Sequence, residues 1–87
     1  MGVKVRVHEL KIKKCYMMDI VNGIKKFEIR KDDRGYLVGD LLHLKELDDE
    51  GVKYTGFELF AKVIYIHEGL GMENGYVCMS IKQVAFV

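Results

Sequence analysis

Hydrophobic and polar residues alternate along most of the chain, and this period-two pattern predicts β-strands. The alternation covers residues 3–11 and returns at residues 25–31 and 41–47. A longer run at residues 54–67 is rich in Phe, Val, Ile and Tyr and predicts a further strand. With a closing strand at residues 76–84, we expect five or six strands in all.

One segment, residues 13–22, changes to the three- and four-residue spacing of an amphipathic helix. The apolar positions that set this spacing are Met17, Ile20, Val21 and Ile24. Gly23 follows, at a place where helices commonly close with a left-handed residue. Residues typical of turns separate the strands, at 32–35, 39–40, 48–51 and in a glycine-rich stretch at 68–75.

This order of elements predicts one domain over residues 1–87, mainly β in an α+β arrangement, with one helix after the first strand. A chain of 87 residues is too short for a two-layer α/β sandwich. Short strands with short connections favour a small, partly closed β-barrel of five to six strands. Hydrophobic residues make up 49% of the chain, which is enough for a single core.

Charge is distributed unevenly, although the formal net charge is only +1. Residues 1–34 carry ten Lys and Arg against five Asp and Glu, whereas residues 35–87 carry four against eight. The small net charge gives no whole-protein argument for binding nucleic acid or membrane. The asymmetry predicts instead a basic face with an acidic counterweight in the same domain.

Several kinds of protein do not fit the sequence. Cys15 and Cys78 lie far apart, and no CxxC or HxxxH spacing marks a metal site. We expect two reduced thiols that are wholly or partly buried. No apolar run approaches transmembrane length, and the N-terminal alternation lacks the apolar core of a signal peptide. The expectation is a cytoplasmic protein that uses no metal, cofactor or membrane.

The histidines and Asp40 suggest structural roles. His8 and His43 lie on the polar faces of the first and third strands, where surface or partly buried imidazoles are commoner than catalysts. Asp40 follows Gly39 and is expected to bond the backbone of its own turn. The glycine-rich stretch is not a phosphate-binding P-loop, because no Gly-Lys-Ser/Thr sequence follows it.

The most concentrated polar chemistry lies at residues 23–30. A strand would place its charged residues on one face and its apolar residues on the other. The charged face holds Lys26, Glu28 and Arg30, and the apolar face holds Phe27 and Ile29. Two cations and a carboxylate on a stiff strand fit a polar ligand site, and they fit an ordinary solvated strand face equally well.

The motif Gly23-x-Lys25-x-x-Glu28-x-Arg30, followed by Gly39-Asp40, resembles the ASCH motif of the PUA-like superfamily. A fuller pattern resembles the DUF3850 branch, a group of small bacterial and phage proteins. Its blocks are His8-Glu9-Leu10-Lys11, Lys26-Phe27-Glu28-Ile29-Arg30-Lys31-x-Asp33-Arg34, Val38-Gly39-Asp40, Tyr54-Thr55-Gly56 and Gly75-Tyr76-Val77. The similarity runs from about Val7 to Ile81.

The resemblance implies a PUA-like barrel with a helix beside it and a cleft between the two. The ASCH name is associated with RNA binding, and some small ASCH proteins are amidohydrolases of acylated cytidine that use a Lys, a Thr and a Glu. Others are associated with ribonuclease activity. DUF3850 carries no activity in its name, and likeness of fold does not choose among these functions.

Binding of RNA, or of a nucleotide-like ligand, is the function that we expect. Arginine and lysine side chains would hold phosphates, while tyrosine stacking and a carboxylate would hold a base. The residues expected to do this are Lys25, Lys26, Glu28, Arg30, Arg34 and Tyr36. Tyr36 fits a half-buried anchor as well as it fits a stacking ring.

The alternative is a small hydrolase that acts on a modified nucleoside or on RNA. Lys25 stands where the amidohydrolases carry their catalytic Lys, and the family position of Glu68 implies a distant acidic partner for it. Glu28 would be the other working group, but it stands where those enzymes have Thr, which removes a hydroxyl. A protein-interaction module is the third interpretation, and the sequence leaves the oligomeric state open.

Overall fold

Five strands and one helix make up the computed structural model, which describes residues 5–86. In chain order they are β1 (Val7–Ile12), α1 (Lys14–Val21), β2 (Phe27–Lys31), β3 (Leu41–Leu47), β4 (Tyr54–His67) and β5 (Tyr76–Phe86). The prediction of a mainly β domain with one helix after the first strand is confirmed. No helix in the described part of the chain has the length and apolar character needed to cross a membrane.

All five strands belong to one sheet in the order β1-β3-β4-β5-β2, which curls into a half-barrel. β1 runs parallel to β3, and every other neighbouring pair is antiparallel. The strands at the two ends of this order, β1 and β2, are therefore the open edges of the sheet. The gap between them is where the candidate site lies.

The core fills the concave side of the half-barrel. Alternate residues of each strand point into it, as the period-two pattern predicts, and Leu42 and Leu44 of β3 are fully buried. The buried hydrophobic residues that join them from β4 and β5 are Leu59, Ala61, Val63, Val77, Met79 and Ile81. The helix covers the open side of this cluster with Met17 and Ile20. Burial of this shared apolar surface holds helix and sheet together.

The helix is shorter than predicted, and so is its apolar face. It ends at Val21, and Gly23 follows with φ +74°, in the left-handed region that the sequence led us to expect. Because the helix has ended, Ile24 does not continue the apolar stripe and is 74% exposed. Val21 is also exposed, so only Met17 and Ile20 reach the core.

The first strand and one cysteine also differ from expectation. β1 begins at Val7, and the predicted start at residue 3 lies outside the described residues. Cys15 is exposed on the helix, because it points away from the face that packs on the sheet, so its predicted burial is wrong. Cys78 is half-buried, as predicted, and both are free thiols.

A buried pair, His8 and Asp40, joins β1 to the turn before β3. His8 Nε2 lies 2.8 Å from Asp40 Oδ2, and that oxygen also accepts the Leu37 N–H at 2.9 Å. Asp40 thus bonds its own turn, as predicted, and in addition a strand 32 residues away in sequence. Burial raises the pKa of Asp40, but the bonds from His8 and Leu37 outweigh burial and hold the pKa below its usual value.

Asp40→Asn is expected to lower the free energy of unfolding by about 1–3 kcal/mol near neutral pH, because a charge-assisted buried bond is lost. Since the pKa of Asp40 is lower in the folded state, its carboxylate stabilises the fold above the unfolded pKa of about 3.9. That contribution disappears as the pH falls through the folded pKa. Urea unfolding at a series of pH values measures this difference.

The difference between wild type and Asp40→Asn should shrink as the pH falls from about 5 to about 2. Asp49→Asn is the matched control, because the Asp49 side chain is 85% exposed and should change stability little at either pH. A difference for Asp40→Asn that stayed constant over this range would contradict the role of its charge.

Candidate functional site

The centre of the site is the buried carboxylate of Glu28, which two cations hold. The Glu28 side chain is 4% exposed, and its Oε1 accepts a hydrogen bond from Lys25 Nζ. Its Oε2 lies 2.9 Å from both Nε and Nη2 of Arg30. Both oxygens are therefore bonded, as a buried carboxylate requires.

In β2 the charged face is buried and the apolar face is exposed, which is the reverse of the arrangement in an ordinary edge strand. The charged face, with Glu28 and Arg30, turns inward, whereas Phe27 and Ile29 are 42% and 51% exposed. The sequence allowed either a polar ligand site or an ordinary solvated strand face. The solvated face does not fit Glu28, because this side chain is buried. The inward charges are accommodated because they bond one another rather than the apolar core.

The end of the helix places Lys25 beside Glu28. The N–H groups of Ile24 and Lys25 both donate to the Asp19 carbonyl, at 2.9 and 3.0 Å, while Gly23 turns the chain with its positive φ. Lys25 Nζ then bonds both the Glu28 carboxylate and the Phe27 carbonyl. The turn at Gly23, which ends the helix, thus fixes the position of Lys25 relative to Glu28, three residues later.

β1 presents an unpaired edge to the gap between the end strands. The Leu41 N–H donates to the Arg6 carbonyl, so even-numbered residues at the start of β1 turn their main-chain groups toward β3. The main-chain groups of the odd-numbered residues, among them Glu9 and Lys11, consequently point toward the open edge. Carbonyl groups in that position need donors from outside the sheet.

Arginine side chains bond main-chain carbonyls across the gap in both directions. Arg30 Nη2 donates to the Lys11 carbonyl at 2.7 Å, and Arg34 Nη1 donates to the Glu9 carbonyl at 2.8 Å. In the other direction, Arg6 Nη2 donates to two carbonyls of the turn after β2, at 3.0 and 3.1 Å. Guanidinium groups therefore occupy the place that a sixth strand would take in a closed barrel.

A depression of about 440 Å³, which we call the seam cleft, lies over this gap. Residues 11–13 and Tyr16 form one wall, and Lys25 with residues 27–30 forms the other. The charged side chains of these walls are Lys11, Lys13, Lys25, Arg30 and Glu28. Counted over residues 5–86, four cations against one carboxylate give the seam cleft a formal charge of +3.

Two aromatic rings flank the ammonium group of Lys25 in the seam cleft. Lys25 Nζ lies 5.3 Å from the centre of the Tyr16 ring and 4.7 Å from that of Phe27. Lys13 Nζ lies 5.9 Å from the Tyr16 ring. Tyr16 is 45% exposed, so part of its ring remains open to a ligand. Such a combination suits an anion that carries a flat group.

The structure brings together three of the residues predicted for the site, Lys25, Glu28 and Arg30. Lys26 is exposed and lines a neighbouring depression of about 350 Å³, together with Lys25 and Lys82. We call this depression the lysine groove. Arg34 lies farther along the gap, where its guanidinium bonds the β1 edge.

Tyr36 does not fit the stacking role expected for it. The residue is 5% exposed, and its ring meets the His8 ring edge-on with 4.9 Å between centres. Burial raises the pKa of Tyr36, although the nearby charges of Arg34 and Arg30 oppose this. Its ring belongs to the core, so a base has no access to it in this structure.

Glu68 is not brought to Lys25. It is exposed in the glycine-rich connection before β5, where it lines a separate depression with Asp32 and residues 72–77. The lining of the seam cleft does not include it. Among residues 5–86, no group of three or more His, Cys, Asp or Glu side chains is arranged to hold a metal ion.

Sequence reasoning missed three residues of the site, Lys11, Lys13 and Tyr16. One signal was available, because Lys13 and Tyr16 are three residues apart at the start of the helix and so share a face. Lys11 carries no comparable signal, since it looks like any polar residue of an alternating strand. Its approach to β2 depends on the curl of the whole sheet.

A protein-family model described as "Domain of unknown function (DUF3850)" matches residues 7–81. The chain belongs to this family. The matched region contains every residue that lines the seam cleft, and it confirms the DUF3850 resemblance drawn from the sequence. A search of curated proteins returned no match.

In this DUF3850 domain, Glu28→Ala is expected to lower the free energy of unfolding by about 2–4 kcal/mol. The substitution leaves Lys25 and Arg30 without their shared counter-charge while their side chains remain only 13% and 24% exposed. Urea unfolding at neutral pH measures the loss. Glu73→Ala, at an exposed position, is the control and should change stability by less than about 0.5 kcal/mol. Equal stability of the two variants would contradict the role given to Glu28.

Proposed function

We propose that the seam cleft binds RNA or a nucleotide-like ligand, and that this DUF3850 domain is an ASCH domain of the PUA-like superfamily. The observation that carries the proposal is the partly exposed Tyr16 ring in a cleft with a formal charge of +3. Nucleotides combine a flat base with a negatively charged phosphate, and the cleft offers a partner for each. The helix beside a curled sheet agrees with the architecture that the superfamily resemblance implies.

In the proposed complex, Lys11, Lys13 and Arg30 attract and hold phosphate. Arg30 keeps donors for this purpose, since its bonds use Nε and Nη2 while Nη1 bonds no group among residues 5–86. Tyr16 takes the stacking role that the sequence had suggested for Tyr36. Glu28 and Lys25 form the floor, where Glu28 fixes the cations and limits the net charge.

Tyr16→Ala is expected to weaken binding of a fluorescently labelled single-stranded RNA hexamer by about five- to 150-fold, because it removes a stacking ring. Fluorescence anisotropy at 50 and 200 mM salt measures the affinity, which should fall as salt rises. Tyr54→Ala is the matched control, since Tyr54 is also exposed, at 52%, and also lies beside a lysine, Lys45. Equal losses in both variants, or no RNA binding by wild type, would refute the proposal.

Hydrolysis of a modified nucleoside or of RNA is the second candidate, and the contact between Lys25 and Glu28 favours it. Against it, both Glu28 oxygens already accept bonds from cations, which leaves no evident proton acceptor in the pair. We expect no product when the protein is incubated with N-acylated cytidine or with RNA. Turnover by wild type that Lys25→Arg abolished, with the fold intact by circular dichroism, would make the domain a hydrolase.

A further inference from the structure

We infer that the ligand is a single-stranded polynucleotide whose chain continues from the seam cleft through the lysine groove onto the outer face of β4 and β5. The inference rests on the proposed function and narrows it, from nucleotide-like ligands in general to a polymer. It is carried by the two depressions that adjoin at Lys25, by an opposed pair of lysines and by a second exposed tyrosine.

The seam cleft and the lysine groove adjoin at Lys25, which lines both of them. The groove continues past Lys26 to Lys82 on β5, beside the end of the helix. Among the described residues that line the groove, none carries a carboxylate. A phosphate chain leaving the cleft at Lys25 would therefore meet only cationic and uncharged side chains.

At the edge of the groove, two lysines face each other across neighbouring strands. Lys62 of β4 is the register partner of Lys82 of β5, and both are exposed. They lie on the outer face, since Ala61 and Val63, on either side of Lys62, are buried. Neither lysine forms an ion pair with a residue in the described part of the chain.

Like charges directly opposite each other destabilise a sheet. A pairing that works against the fold is typical of a functional surface, where a ligand supplies the missing charge. Phosphate groups would neutralise Lys62 and Lys82 together. Tyr65 follows Lys62 across a β-bulge, pairs in register with Ser80 and is 60% exposed, so it adds a ring on which a base can stack.

A membrane is the other polyanion that such lysines attract. A bilayer surface would contact the convex face of the sheet, but it would not enter the seam cleft. The cationic surface here begins inside a cleft of about 440 Å³ and extends to an adjoining groove of about 350 Å³. A thin flexible chain follows that path, which favours the polynucleotide.

The test compares a ribonucleoside monophosphate with an RNA hexamer, using wild type and the double variant Lys62→Gln/Lys82→Gln. Competition against the labelled hexamer gives both affinities. In wild type the hexamer should bind at least about tenfold more tightly than the monophosphate, since it gains contacts along the groove. The double variant should lose most of this advantage, keep its affinity for the monophosphate, and reduce the logarithmic salt slope by about 1.4.

Lys14→Gln/Lys53→Gln is the control, because it removes the same charge from exposed positions outside the cleft and the groove. Equal loss in both double variants would overturn the inference, as would a hexamer that bound no more tightly than the monophosphate. In the latter case the seam cleft would remain a nucleotide site.

Failure of wild type to bind either ligand would refute the proposed function itself. Loss of binding to anionic vesicles, with hexamer affinity unchanged, would assign the lysines to a membrane and overturn the inference.

Discussion

The buried carboxylate of Glu28 is the interaction on which the rest of the site depends. Taking a carboxylate out of water is costly unless both oxygens are bonded, and here Lys25 and Arg30 each bond one. Lys25 comes from the end of the helix, and Arg30 reaches from β2 to the main chain of β1. One carboxylate therefore links the helix end and both edges of the half-barrel. Without it, two partly buried cations would lie close together with no counter-charge between them.

The arginine contacts that bridge the two edges of the half-barrel also form the floor of the seam cleft. A sixth strand would satisfy the open edge of β1 with its own main chain and would fill the gap. Arginine side chains satisfy that edge instead, and because they are thin they leave a depression above them. Its floor is a network of fixed charges, and the Tyr16 ring stands at its wall. The cations are thus held in position before any ligand arrives, which reduces the ordering that binding requires.

Most of the fold could be predicted from the sequence, because the period of the pattern reports strand and helix directly. Leu42 and Leu44 alternate inward as predicted, and Gly23 closes the helix. The pattern could not show which face of β2 points into the core. Alternation places Phe27 and Glu28 on opposite faces but does not say which of them is buried. The seam cleft was harder still to predict from the sequence, since it joins residues such as Lys11 and Arg30 that are 19 positions apart. The family resemblance supplied Lys25, Glu28 and Arg30. For the stacking ring, the sequence suggested Tyr36, which is buried, whereas the structure offers Tyr16.

The central claim is that the seam cleft is the ligand-binding surface, and amide NMR with a short single-stranded RNA tests it most directly. We expect the shifts that move on titration to cluster at residues 11–16 and 25–30, and to weaken as salt increases. Shifts confined to the opposite side of the sheet, around the His43–Glu58 pair, would contradict the claim. So would a spectrum that did not change at any RNA concentration.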